Sequence, residues 1–144
     1  METYAYLDLK SLEEKNNFYK KLLFQSPDLI FQFTLTKEGA IFFPFLSKSV
    51  ITHFDLTPEE KNQPAFEILK NKIIPEDFTL FMLTIYQAKK DMKSWDHEFR
   101  AILPVRGLRW YKGVATIESE ENGDVNFFGK ITDITVYKEQ ELQL

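Results

Sequence analysis

The chain has 144 residues, enough for one core that buries roughly two-thirds of the unfolded surface, and its formal net charge of −4 supplies no electrostatic drive for nucleic-acid binding. It has no cysteine, which excludes disulfides, thiolate metal sites, cysteine nucleophiles and cysteine-linked chromophores, and which fits a cytoplasmic setting. Its 14 Phe, 6 Tyr and 2 Trp predict an interior filled with rings, since each buries about 150–250 Å².

Residues 8–25 predict an amphipathic helix that Pro27 ends. On its apolar face Leu9, Leu12, Asn16, Tyr19 and Leu23 step by 3, 4, 3 and 4, the spacing of a coiled-coil seam with one polar position, so this helix either caps its own domain or pairs with a second copy. Two short aromatic runs, 29–35 and 40–46, flank Thr36-Lys37-Glu38-Gly39 and predict a hairpin. Pro44 cannot donate to a ladder, which puts the second strand at an edge or bends it there. Residues 47–74 carry Pro58 and Pro64 and hold only short helical patterns.

Pro75 suits a first helical position, Glu76 and Asp77 suit the positive end of the helix dipole, and Phe78, Phe81, Met82 and Ile85 recur at helical spacing, so a helix is expected over about 75–90. Three strand-like stretches follow, at 95–103, 108–118 and 125–132, joined by glycine-bearing turns. The charged tail after residue 135 is helix-prone. Five strands around a helical middle give an α+β domain with helices on one face of an antiparallel sheet. No stretch reaches the ~18–20 apolar residues of a membrane span, so no direct membrane insertion is expected.

Five short words in this order resemble the PAS family in its form with a C-terminal PAC segment. They are Phe54-Asp55-Leu56-Thr57-Pro58-Glu59-Glu60, Ile74-Pro75-Glu76-Asp77, Glu98-Phe99-Arg100, Gly107-Leu108-Arg109-Trp110 and Gly129-Lys130-Ile131-Thr132-Asp133-Ile134-Thr135. Asp55 stands where the family often has Gly, and Ile74 where it often has His. The resemblance implies a five-stranded antiparallel sheet in the order 2-1-5-4-3, with residues 1–25 as an N-terminal helix, 26–135 as the PAS domain and 136–144 as the start of a linker helix. It further implies a sensory or signal-transducing module of a larger protein, with histidine kinase the first expectation for the output domain and diguanylate cyclase or transcription factor the next. The alternative is a ligand-free dimerisation connector with a closed, Phe-rich core. Partners implied are a second copy of the chain, the output domain of the same polypeptide and a small cytosolic ligand.

Chromophore-bearing relatives set requirements that this sequence does not meet. No Cys is present to bond a flavin or a chromophore, and no His on the 75–90 helix offers a haem ligand, so no cofactor is expected beyond a small ligand held non-covalently. His53 and His97 stand apart and make no metal site of three or four ligands. No nucleophile with its base, and no converging carboxylate pair, is legible, so no catalytic site is expected. If Trp110 faces the helices, alternation turns Lys112, Val114 and Thr116 the same way, and comparison with the family adds Phe43, Arg100, Ile102, Phe127 and Ile131 as candidates to line a ligand space. Glu98 then offers Arg100 and Lys112 an internal ion pair, the competitor being an anionic group on a ligand. On the same phase Phe99, Tyr111, Ala115, Ile117 and Phe128 form an opposite face too apolar to stand bare. Asp133, Ile134 and Thr135 mark the junction where movement of the sheet would pass to the C-terminal helix, with Asp133 or Thr135 able to cap it.

Overall fold

The computed structural model describes residues 11–143. Ser11 is extended, and its hydroxyl accepts the Glu14 N–H at 3.0 Å, so helix α1 runs Leu12–Gln25. Leu9 lies outside the described residues. Of the seam read from the sequence, Leu12, Asn16 and Tyr19 are exposed, Leu12 by 75%, and the Leu23 side chain also lies outside what is described.

Strands β1 (Leu29–Leu35) and β2 (Ile41–Leu46) form the expected hairpin. Gly39 takes φ +94° in its turn, and Thr36 N–H donates to Ala40 C=O at 2.8 Å. Pairing slips between Gln32 and Thr34, opposite Pro44, so β2 is both an edge strand and bulged.

The helical middle holds α2 (Val50–His53), a 3₁₀ turn (Glu60–Asn62), α3 (Ala65–Lys72) and α4 (Pro75–Asp91). The buried Lys72 meets Glu60 at 3.0 Å and ties the turn to α3; Thr57 N–H donates to the same carboxylate at 3.0 Å. Met92 closes α4 in the left-handed conformation, φ 51°.

Strands β3 (Trp95–Leu103), β4 (Gly107–Ser119) and β5 (Val125–Asp133) complete an antiparallel sheet in the order β2-β1-β5-β4-β3, and α5 (Thr135–Leu142) follows at once. The order is the one the resemblance implied. The outer edge of β3 is occupied in its middle: Ile74 N–H donates to Arg100 C=O at 3.0 Å, and Arg100 N–H donates to Asp77 at 2.7 Å.

Helices α2 to α4 cover one face, and rings fill the layer between. Phe33 stacks on Phe127 at 4.4 Å between ring centres and Phe54 on Tyr111 at 4.6 Å, while Phe81 meets Phe99 edge-on at 5.1 Å and Trp95 at 5.3 Å. Gly113 has no side chain because the Trp95 ring lies over it; a Cβ there would sit 2.4 Å from that ring.

This packing reverses the phase expected for β3 and β4. Phe99, Tyr111 and Ala115 are buried beneath the helices, with Ile117 packed against them, whereas Arg100, Ile102, Trp110, Lys112, Val114 and Thr116 lie on the other face. The expectation took the largest ring of β4 as the core ring. Tyr111 holds that place, because a ring stack and a carbonyl acceptor for its hydroxyl are both available on the helix side. Of the apolar set assigned to the far face, Phe128 alone lies there, 37% exposed.

Candidate signal-coupling site

Polar contacts converge where β5 passes into α5. Asp133 uses both carboxylate oxygens. Oδ1 accepts the Thr135 N–H at 2.9 Å and the Thr135 hydroxyl at 2.6 Å, and Oδ2 accepts from the Arg109 guanidinium at 3.0 and 2.7 Å. Burial alone would raise this carboxyl, but the Thr135 hydrogen bonds and Arg109 outweigh it and hold Asp133 below the usual carboxylate range. Thr135 is itself buried, and its Oγ1 accepts the Trp110 N–H at 2.9 Å, while Ile134 N–H donates to Trp110 C=O at 2.9 Å. The first turn of α5 is therefore fixed to β4 as well as to its own strand. The N-cap position of α5 is Ile134, which makes no side-chain capping bond; Asp133 instead reaches the N–H of Thr135 from one residue earlier.

A second arginine extends the site across the β3–β4 turn. Arg106 lies 3.6 Å from Asp133 and 3.4 Å from Asp55, and its guanidinium donates to Thr52 C=O at 2.8 Å and to His53 C=O. It thus caps the C-terminal end of α2, where unpaired carbonyls collect partial negative charge. Tyr111, fully buried, also donates its hydroxyl to His53 C=O, and burial pushes its phenol up. Asp55 explains its own departure from glycine. It accepts a positive φ of 48°, which costs a side chain some strain, and in return its carboxylate takes Val105 N–H at 3.1 Å and Arg106 N–H at 2.9 Å.

On the outer face Trp110 carries two cations: Arg100 Cζ at 5.4 Å and Lys138 Nζ at 5.1 Å from the ring centre. Lys138, on α5, also meets Glu98 at 2.6 Å, which raises the lysine above its ordinary value and docks the helix against the sheet. Glu98 is thus not the partner of Arg100. Arg100 instead forms a two-pronged pair with Asp77, at 2.8 and 2.6 Å, which holds that carboxyl low, and Lys112 meets the exposed Asp96 at 3.7 Å.

The residues expected to line a ligand space are split by the sheet. Phe43, Phe127 and Ile131 lie on the helix side, within the ring-packed layer. Arg100, Ile102, Trp110, Lys112 and Val114 lie on the far side, with Ile102 61% exposed, and Val114 borders an open cleft of about 270 Å³ there with Thr116, Phe128 and Gly129. A larger cleft of about 390 Å³ lies elsewhere, against Lys70, Asn71, Ile73, Pro75 and Phe78. The two histidines are unlike: His53 Nε2 lies 2.7 Å from Pro27 C=O, whereas His97 stands against Phe81 and Trp95, and burial lowers its pKa.

Trp110→Ala tests this facing, since a ring packed beneath the helices would cost about 3–5 kcal/mol on removal. On the outer face, where the ring is only partly buried, the expected cost is about 1–2 kcal/mol, most of it lost cation and packing contacts. Thermal melting should show this small shift, while an earlier loss of α5 helicity would report release of Lys138.

Sequence reasoning singled out Asp133, Ile134 and Thr135 at this junction but not the contacts that Asp55, Arg106, Arg109 and Tyr111 bring to it. The aspartate standing in a glycine position was the one local signal for this network.

A family model described as PAS fold matches residues 43–132. No curated protein matches the chain. Among solved structures, the chain is similar to a sensory box histidine kinase/response regulator of Burkholderia thailandensis E264, at 17% identity and TM-score 0.64 over 85% of this chain and 88% of that one. It is also similar to the PAS domain of a Colwellia psychrerythraea protein, at 18% identity and TM-score 0.59 over 85% and 98% of the two chains. A third is the N-terminal domain of a diguanylate cyclase with PAS/PAC sensor from Marinobacter aquaeolei, at 14% identity and TM-score 0.59 over 76% and 98%.

Proposed function

Because this chain belongs to the PAS-fold family, we propose that it is the signal-transducing module of a larger protein, passing a change in its sheet to an output domain through α5. The observation that carries this reading is the junction itself. Asp133, Thr135 and Trp110 bind the first turn of α5 to two strands at once, so a shift of β4 against β5 cannot leave the helix where it was. The kinase and cyclase named among similar structures support an output of that class, with histidine kinase first.

The ring-filled layer beneath the helices supports a relay with a closed core over a module that senses through an internal ligand. The exposed Leu12 and Tyr19 of the α1 seam support a homodimer, in which two copies present paired helices to the output domain.

The test is a chimera of this chain with a histidine kinase catalytic core joined after α5. Asp133→Ala removes one acceptor from Thr135 and one from Arg109, with a stability loss of about 2 kcal/mol. The chimera should remain folded and dimeric, while basal autophosphorylation changes by about fivefold or more. Unchanged autophosphorylation in a variant showing the same loss of melting temperature reduces the junction to a helix cap.

A further inference from the structure

His53 stands between the two links that connect the domain to its flanking helices. Its ring Nε2 lies 2.7 Å from the carbonyl oxygen of Pro27, in the short link from α1 to β1. A carbonyl only accepts, so the ring proton sits on Nε2, and the buried Nδ1 has no partner. The main-chain carbonyl of the same residue accepts from Arg106 and Tyr111, and Arg106 reaches Asp133, which holds the first residue of α5. Four side chains thus connect the exit of α1 with the start of α5, on a path that runs over the helix side rather than through the strand ladder.

Two further contacts stiffen this path. Ser49 Oγ donates to Asp28 C=O at 3.5 Å, a second tie from α2 to the α1–β1 link. The far end of α2 is fixed by Arg106 on two carbonyls and by Asp55, whose φ of 48° sets the chain's exit. A four-residue helix held at both ends moves as one piece, so displacement of Pro27 must drag the Arg106 and Tyr111 contacts or break them.

We infer that His53 is a positioning residue that couples the N-terminal helix to the C-terminal helix, so that the chain relays strain arriving through α1 as well as changes within its own core. The inference rests on reading the chain as a signal-transducing module and adds to it a direction of input.

The test is reciprocal and uses the chain as it stands. His53→Phe keeps the ring volume and removes the donor; Arg106→Met removes the other half of the path. Amide hydrogen exchange is followed at Ser26, whose N–H donates to Leu22 C=O at the end of α1, and at Ile134, whose N–H donates to Trp110 C=O before α5. Rates are taken relative to amides in the β4–β5 ladder, which report global opening. Each substitution should speed exchange at the distant amide by about fivefold, the range expected for members of one network. His53→Gln, which keeps a donor toward Pro27, should restore most of the protection at Ile134. Changes confined to the near side of each substitution overturn the inference, as does equal acceleration at Ile134 in His53→Phe and His53→Gln. The readout needs no output domain, so failure here leaves the junction reading intact, and an inert chimera leaves this coupling intact.

Discussion

Gly129→Ala is expected to leave little folded protein. Gly129 pairs with Phe31 on one side and Ala115 on the other, in the middle strand of the sheet. A Cβ at this position would lie 1.8 Å from Val114 C=O and 2.8 Å from the Ala115 Cα. Both atoms are backbone, so no side chain can turn aside, and relief requires β4 and β5 to separate at the Ala115–Gly129 pair. Overpacking of this kind costs on the order of 3 kcal/mol or more, a large share of the roughly 5–15 kcal/mol that holds a domain together. Thermal unfolding should fall by about 10 °C or more, if a transition is seen at all. A melting temperature close to that of the parent would show that the strands are further apart than described.

Tyr111→Ala should be nearly as damaging, for a different reason. The ring is fully buried, stacked on Phe54 at 4.6 Å and inclined against Phe99 at 5.9 Å, and its removal opens a cavity between sheet and helix. Large-to-small changes at such sites cost about 3–5 kcal/mol. Tyr111→Phe separates packing from polarity. It keeps the ring and loses the hydroxyl contact to His53, a net loss of about 1 kcal/mol, because Arg106 still satisfies that carbonyl. Urea titrations of both variants should give these two magnitudes in that order. Equal losses would mean that the hydroxyl, not the stack, holds α2 to the sheet.

The elements of this fold were legible because their signals are local. Pro75 with Glu76 and Asp77 announces α4 at Pro75, and the strand 95–103 is bounded as read, since alternation and turn residues act within a few positions. The facing of those strands was not legible. Both faces of β4 carry an aromatic ring, Trp110 on one and Tyr111 on the other, so hydrophobic alternation fits either phase. What decides is distant: the Trp95 ring needing the space at Gly113, and the His53 carbonyl waiting for a hydroxyl 58 positions away. The same distinction divides the candidate site. Asp133 and Thr135 sit two residues apart and could be paired from the sequence, but Arg109 and Asp55 reach the network only after the chain has closed on itself. The expected ion pair of Glu98 with Arg100 failed for this reason too, as each charge found a nearer partner on a helix, Lys138 for one and Asp77 for the other.

An open sheet has two rims, and each ordinarily offers a row of unsatisfied amide and carbonyl groups to any extended chain that drifts past. Here neither rim is free along its length. Pro44 and its bulge interrupt one, while Ile74 and Asp77 sit on the other at Arg100. An extended chain laid along either rim therefore meets an interruption, at Pro44 on one side and at Arg100 on the other. Surfaces that bury side chains rather than backbone carry no such register and can slide and tilt without breaking a ladder. Both interruptions come from single positions in the sequence, Pro44 on one rim and the Ile74 amide with the Asp77 carboxylate on the other.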